Sequence, residues 1–211
     1  MDTSLNNRTK PSQALIIFTK NPELGHCKTR LAKTIGDSSA LDIYKYLLNY
    51  TVNITQPLQV DKFVFYSNEI IQNDIWDALI FNKALQKGDD LGIKMFNAFS
   101  YVFGLGYKDV IIIGSDILDL KTEHIEIAFN SLINNEYVIG PSKDGGYYLL
   151  GMRVINKNLF LNKKWGTSSV LKDTLKTLKI STFHILEELN DIDTFEDMKH
   201  YKELNKFYTN P

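Results

Sequence analysis

Three short apolar runs, each followed by a polar or glycine-bearing stretch, constrain this chain more than any other feature. They are Ala14-Leu-Ile-Ile-Phe18, Phe63-Val-Phe-Tyr66 and Val110-Ile-Ile-Ile113. Four or five apolar residues in a row, without alternation, suit strands covered on both faces. Between them the period changes. Leu41, Tyr44, Leu47 and Leu48 recur at helical spacing within residues 38–53, as do Leu91, Met95, Ala98, Phe99 and Val102 within 91–103. A further helix is expected over 122–132, opened by the capping-type Thr122. The pattern then predicts strands over 137–139 and 147–150 around a glycine turn, a helix over 168–178, a strand over 182–186 and a helix over 194–201. Val110–Ile113, the most apolar run, is expected at the centre. Strands alternating with helices predict an α/β fold, with a parallel or mixed sheet covered on both sides. Ligands of such sheets bind beyond the carboxyl ends of the strands, so the loops after Phe18, Ile113 and Ile139 are the ones to watch.

Composition narrows the class of protein. The 211 residues carry 24 Lys and Arg against 25 Asp and Glu, a formal charge of -1. That balance excludes a nucleic-acid-coating protein, which needs a basic excess. The 44% hydrophobic content excludes a disordered chain. A single cysteine, Cys27, forbids an internal disulfide and a cysteine zinc cage, and a reducing, cytoplasmic setting is the simplest expectation. No stretch reaches the ~18 apolar residues of a membrane span. Residues 1–13 are polar and read as a flexible leader, which leaves 14–211 as one domain. The aromatic content is compatible with a monomer or a homodimer.

The loop after the first strand, Thr19-Lys20-Asn21-Pro22-Glu23-Leu24-Gly25-His26-Cys27-Lys28-Thr29-Arg30, holds three cations and a glycine. Fixed cations and free backbone N–H groups are what a di- or triphosphate needs. The spacing is neither that of a Walker loop nor of a dinucleotide fingerprint, and the same residues would also make a solvated basic loop. The cations beside Cys27 are expected to lower its pKa. Asp116, in Gly114-Ser-Asp116 at the end of a central strand, is placed to bind a divalent cation beside phosphate oxygens, or to cap the following helix. Asp144, Gly145 and Gly146 allow close backbone approach to a ligand, or form an ordinary hairpin turn. Asp191 and Asp193, one residue apart, could share a metal if extended; Asp193 or Thr194 could equally cap a helix. Trp165 and Thr167 could wall a site or belong to the core. His184, in an apolar strand, reads as a core residue.

Taken in order, six segments resemble a known family. They are Phe18-Thr-Lys-x-Pro-x-x-Gly25-x-x-Lys28-Thr-Arg-Leu31, Gln86-x-Gly88-Asp89-x-Leu91-Gly92, Gly114-Ser-Asp116, Gly140-Pro-x-x-Asp144-Gly-Gly-Tyr-Tyr-Leu-Leu-Gly151, Trp165-x-Thr167 and Asp191-Ile-Asp193-Thr194. Their order and spacing resemble the radical-SAM/selenodomain-associated transferases, a glycosyltransferase family. That family is similar in turn to 2-phospho-lactate guanylyltransferase and the molybdenum-cofactor guanylyltransferases. The resemblance spans about residues 15–198. It implies a GT-A, nucleotide-diphospho-sugar transferase fold, with a Rossmann-like, mixed, mostly parallel sheet. It implies that Lys20, Gly25, Lys28, Thr29, Arg30, Gln86 and Gly88 bind the nucleotide and its phosphates. Asp116, Asp191 and Asp193 would hold Mg²⁺ or Mn²⁺. Asp144, Gly145, Gly146, Trp165 and Thr167 would face the acceptor. Two features depart from the family pattern: Ile117-Leu118 where a proline is usual after Gly-Ser-Asp, and the Gly-Asp-Leu-Gly segment, which has an extra Asp90 and is followed by Lys94 where arginine is common before methionine, an exchange that is not conservative where bidentate phosphate contact matters.

The expected activity is therefore a metal-dependent transfer from a nucleotide-activated substrate to a small-molecule acceptor. Asp116, Lys28 and Arg30 would be the catalytic groups. Transfer from a nucleotide sugar is the leading reading. Nucleotidyl transfer from a nucleoside triphosphate, with release of pyrophosphate, is the alternative. A nucleotide-binding protein without catalysis is the second alternative.

Overall fold

The computed structural model describes residues 12–208. The expected leader falls almost wholly outside them, and Gln13 already opens the first strand. Among the described residues seven strands form one sheet: β1 (Gln13–Thr19), β2 (Asp61–Tyr66), β3 (Phe81–Leu85), β4 (Asp109–Ile113), β5 (Tyr137–Pro141), β6 (Tyr147–Met152) and β7 (Phe183–Ile185). Their order is β3-β2-β1-β4-β6-β5-β7, which puts β4 at the centre as its composition predicts. β1 runs parallel to β2 and β4, β2 to β3, and β5 to β7. β6 is antiparallel to both of its neighbours. The reason is local: residues 142–146 join β5 to β6, and so short a connection can link only antiparallel strands.

Helices α1 (Thr29–Ile35), α2 (Asp37–Thr55), α3 (Leu91–Gly104), α4 (Thr122–Ser131), α5 (Val170–Thr177) and α6 (Phe195–Met198) cover the sheet. The strict alternation of strand side chains splits the core in two. Leu15, Ile17, Val64, Ile111 and Ile113 face one side with Tyr44 and Leu48 of α2 and Phe129 of α4. Ala14, Ile16, Phe63, Phe65, Val110 and Ile112 face the other, against Met95, Phe99 and Val102 of α3. A third cluster joins Leu31 of α1 and Ile43 and Leu47 of α2 to Leu118, Ile192, Met198 and Leu204.

Four local readings are corrected. β3 was not expected, because Phe81-Asn-Lys-Ala-Leu85 is an edge strand in which only Phe81 is fully buried. The last helix is the single turn α6, followed by a 3₁₀ segment, Lys202–Phe207. Thr122 does not cap α4: its hydroxyl donates to the Ile54 carbonyl (2.8 Å), while His124 Nδ1 accepts the Lys121 N–H (3.1 Å). His184 is exposed on the edge strand β7 rather than buried.

Candidate active site

The loop from Lys20 to Lys28 leaves the carboxyl end of β1 and is held from three sides. The Lys20 N–H donates to Tyr44 Oη (2.8 Å), and Tyr44 also lies 3.1 Å from Thr19 Oγ1. Asn21 Oδ1 accepts from Asn68 N–H (3.0 Å) and Ser67 Oγ (3.2 Å), which ties the loop to the end of β2. The Cys27 thiol donates to the Asn21 carbonyl (3.1 Å). Burial pushes that thiol above its ordinary pKa, against the lowering expected from its neighbours, because the side chain is packed away from water.

Lys28 opens α1 in the left-handed region, with φ 49°. That conformation costs a non-glycine residue about 1–2 kcal/mol. It sends the side chain inward, where Nζ donates to Asp116 Oδ2 at 2.9 Å. Burial alone would lower the pKa of the Lys28 ammonium. The charge and hydrogen bond of Asp116, and then the charge of Asp193, outweigh it and hold the group above the ordinary lysine range. Arg30, on the first turn of α1, extends outward to Asp193 Oδ2 (3.0 Å) and stays largely exposed.

Asp116 follows β4 as expected and does not cap a helix. Its backbone carbonyl accepts the Ile192 N–H (3.0 Å), which pins the segment bearing both remaining carboxylates beside it. Ile192 is fully buried, and Thr194 caps α6 with Asp197 in a reciprocal pair. Asp193 is thereby free for Arg30. Asp191 accepts from Ser142 Oγ (2.9 Å). Burial first, and then the negative charge of Asp116, raise its pKa.

Two cavities meet at Phe18, Leu91, Gly114 and Asp116. The first, about 450 Å³, is walled by Lys20, Lys28, Thr29, Arg30, Gln86 and Asp193. Gln86 is fixed by donating to the Thr19 and Phe65 carbonyls, both at 2.9 Å. The second, about 230 Å³, is walled by Met95, Asp144, Gly146, Tyr147, Trp165, Thr167 and Asp191 among others. The Trp165 indole meets the Tyr147 ring edge-on, with 6.4 Å between centroids. It also lies against Gly92 of α3, where a Cβ would come within 2.4 Å of Trp165 Nε1. That close approach explains the glycine of the Leu91-Gly92 pair.

Three expected residues line neither cavity. Gly25 turns the loop at φ +76°. Gly88 stands where a Cβ would meet Ile93 Cγ2 at 2.6 Å, so it serves the start of α3. Gly145, at φ +88°, packs on the Ser168 backbone and shapes the turn beneath Asp144. Conversely, Tyr44, Ser142, Leu91, Met95 and Tyr147 line the two cavities without having been expected there. Tyr44, Leu91 and Met95 lay on helical apolar stripes and so carried no sign distinguishing a cavity wall from core. Ser142 and Tyr147 sat within the glycine-turn motif.

The three carboxylates do not form one cage. Among the described residues, no group of three or more His, Cys, Asp or Glu side chains is gathered to hold a metal. Asp193 is paired with Arg30 and Asp116 Oδ2 with Lys28, while Asp116 and Asp191 line one cavity and the charge of Asp116 raises the Asp191 pKa. Oxygen donors suit Mg²⁺ or Mn²⁺, which often use only one or two carboxylates and complete their shell with water and substrate phosphates. The mutual repulsion of Asp116 and Asp191 is what a divalent cation relieves, so this pair fits the group.

The mixed, mostly parallel seven-stranded sheet with its covering helices is that of the nucleotide-diphospho-sugar transferase, or GT-A-like, fold. The chain belongs to the DUF2064 family, described as an uncharacterized protein conserved in bacteria, whose model matches residues 51–167. A Desulfovibrio desulfuricans G20 protein with a provisional nucleotide-diphospho-sugar transferase designation is similar over 92% of this chain and 88% of its own, with 29% identity and a TM-score of 0.84. A cytidylyltransferase from Leptospira borgpetersenii covers 94% of this chain and 88% of its own at 11% identity and a TM-score of 0.61. Glucosyl-3-phosphoglycerate synthase from Mycobacterium tuberculosis, solved with Mn²⁺ and uridine diphosphate, covers 87% and 71% at 10% identity and a TM-score of 0.53. The last two establish the shared fold alone. No curated protein matches the chain in sequence. Among the described residues, no helix is long and apolar enough to cross a membrane.

Proposed function

We propose that the protein is a metal-dependent glycosyltransferase that uses a nucleotide sugar. The observation that carries this reading is the pair of cavities joined at Asp116. One wall is cationic through Lys20, Lys28 and Arg30; the other is aromatic and acidic. The cationic cavity suits a diphosphate, and the second suits the acceptor. Asp116 and Asp191 would hold Mg²⁺ or Mn²⁺, with Asp193 kept by Arg30. A divalent ion there, when bound, offsets negative charge on the diphosphate. Lys28 and Arg30 stabilise the departing nucleoside diphosphate electrostatically. The acceptor oxygen forms a bond to the anomeric carbon as the bond from that carbon to the diphosphate oxygen breaks, and the acceptor's hydroxyl proton passes to the departing diphosphate. The similarity to the Desulfovibrio protein supports the donor class.

Nucleotidyl transfer is the second reading, favoured by the three cations on a single loop. In that case the α-phosphorus is attacked and pyrophosphate leaves. A thermal-shift panel of nucleotide sugars, nucleoside diphosphates and triphosphates, each with and without Mg²⁺ or Mn²⁺, separates the two. A ligand at ~100 times its dissociation constant stabilises by about 2.7 kcal/mol. The expected result is a metal-dependent shift with one nucleotide sugar. A shift with a triphosphate alone would replace this reading with nucleotidyl transfer. Binding without turnover on any acceptor would leave a non-catalytic nucleotide-binding protein, and no shift at all would refute the nucleotide site.

A further inference from the structure

We infer that the second cavity takes a small acceptor that bears no anionic group and lays an apolar flank against Trp165, Met95 and Leu91. This rests on the transferase reading above and names its acceptor class.

The charge distribution carries the argument. Asp116, Asp144 and Asp191 line this cavity, and among the described residues no Lys, Arg or His does. All the lining cations, Lys20, Lys28 and Arg30, stand in the adjoining cavity. Lys28, the one nearest Asp116, is already paired with it. The carboxylates are anchored: Asp191 accepts from Ser142 Oγ (2.9 Å), and Asp144 Oδ1 accepts the Gly146 N–H (2.7 Å). In the metal-free cavity an anionic group faces three carboxylates with no lining cation to replace its water; a divalent ion on Asp116 and Asp191 would at most balance that pair and be taken up by the donor diphosphate, which leaves Asp144 against the acceptor. Burying an anion unpaired is strongly unfavourable. A phosphorylated or carboxylated second substrate is therefore refused.

A hydroxyl or ammonium group, by contrast, donates to carboxylates, and an ammonium gains most because both partners are charged. The remaining surface is apolar. Leu91 is 44% exposed at the mouth, and Phe18, Met95, Tyr147 and Val170 continue the wall inward to Trp165. Among the described residues the Tyr147 hydroxyl donates to the Met95 sulfur, 3.9 Å away, a weak acceptor. Burial pushes its pKa up, so it stays a neutral donor. An acceptor rich in hydroxyls on every face would leave most of them unmatched here, whereas an amphipathic one fits both halves of the wall.

The test uses three probes that share one ring and differ in charge: 2-phenylethanol, 2-phenylethylamine and phenylacetate. The readout is the indole N–H resonance of Trp165, assigned with Trp165→Phe. Trp76, buried in the opposite core layer, is the internal control. The full chain is titrated without nucleotide, first with a chelator and then with Mg²⁺; the same ranking is expected in both, and phenylacetate rising level with the other two once Mg²⁺ is added would overturn the inference. The alcohol and the amine are expected to move the Trp165 signal saturably, with phenylacetate roughly tenfold weaker or more. Phenylacetate binding as tightly as the other two would overturn the inference. So would the failure of all three to move Trp165 up to their solubility limits. Thr167→Lys places a cation on the exposed rim and should reverse the ranking towards phenylacetate. An unchanged ranking would show that charge does not govern the cavity and would overturn the inference as well. Nucleotide binding is read separately, by the thermal shift above. Its loss with the probe ranking intact would sink the transferase reading and leave the cavity's selectivity standing.

Discussion

Asp116→Asn tests the centre of the site through the lysine beneath it. The Lys28 side chain is 5% exposed and that of Asp116 is 37% exposed. Removing the carboxylate charge leaves a buried ammonium with Asp193 as its remaining counter-charge. Losing one partner of a buried pair costs about 3–5 kcal/mol. Two features reduce that figure here. Water already reaches Asp116, and the asparagine carbonyl still accepts from Nζ. A loss of about 2–3 kcal/mol remains, which for a chain of this size lowers Tm by roughly 4–12 °C. The pH dependence has a defined sign. In the wild type the Lys28 pKa is raised, so the stability it contributes is fully present below the unfolded lysine value near ~10.4 and is lost as pH rises through the higher folded value. In the variant, burial dominates and depresses that pKa. Its penalty is then complete at neutral pH and fades as pH climbs towards the unfolded value. Calorimetric melts at neutral pH and near pH ~10.5 should therefore show a gap that closes. Equal Tm values at neutral pH, or a gap that widens with pH, would refute the buried-pair reasoning. Metal-dependent turnover should also disappear in this variant; undiminished turnover would refute the catalytic role of Asp116.

Arg30→Ala should separate binding from folding. Its pair with Asp193 is exposed, so melting should change by less than about 1 kcal/mol, while nucleotide affinity measured by calorimetry falls. Tyr44→Phe removes the hydroxyl that holds the Lys20 N–H, at a cost of about 1–2 kcal/mol, and should weaken nucleotide binding without touching the second cavity, as probe titration would register. Gly92→Ala forces its Cβ against Trp165 Nε1 and the Phe160 carbonyl, both at 2.4 Å. It should cost about 1–3 kcal/mol in melting and displace the Trp165 indole resonance.

How much of this was legible in the sequence follows from burial and from distance along the chain. β1, β2 and β4 could be read because strands covered on both faces need unbroken apolar runs. β3 could not. At the edge it keeps Asn82 and Lys83, and Lys83 Nζ finds its partners in Asp74 (2.8 Å) and the Ile71 carbonyl (2.8 Å), outside the strand. The loop after β1 was legible as a cluster of cations, but not the division between its buried and exposed members. Lys28 is buried against a carboxylate 88 residues away, while Arg30 stays at the surface. Cys27 failed as a sequence reading for the same reason: its neighbours in sequence are cations, yet its surroundings in space are apolar.

The geometry that makes a site of these residues resides in the backbone of one irregular segment. Beyond β7 the chain continues along the end of β5. Leu186 N–H donates to the Ile139 carbonyl (2.8 Å), Leu189 N–H to Pro141 (3.1 Å), and Lys143 N–H returns to Leu189 (3.1 Å). Ile192 N–H then reaches the Asp116 carbonyl, and the Ile192 side chain seals into the third core cluster with Leu31 of α1. Residues two apart on an extended chain project the same way, so burying Ile192 turns Asp191 and Asp193 together to the opposite side. One meets Ser142 at the second cavity and the other meets Arg30 at the first, with Asp116 lining both. A purely capping role for this Asp-x-Asp segment would need neither the buried isoleucine nor the hydrogen bond to the end of β4. Thr194 and Asp197 supply the cap, so the helix does not require the arrangement of the two carboxylates across the two cavities.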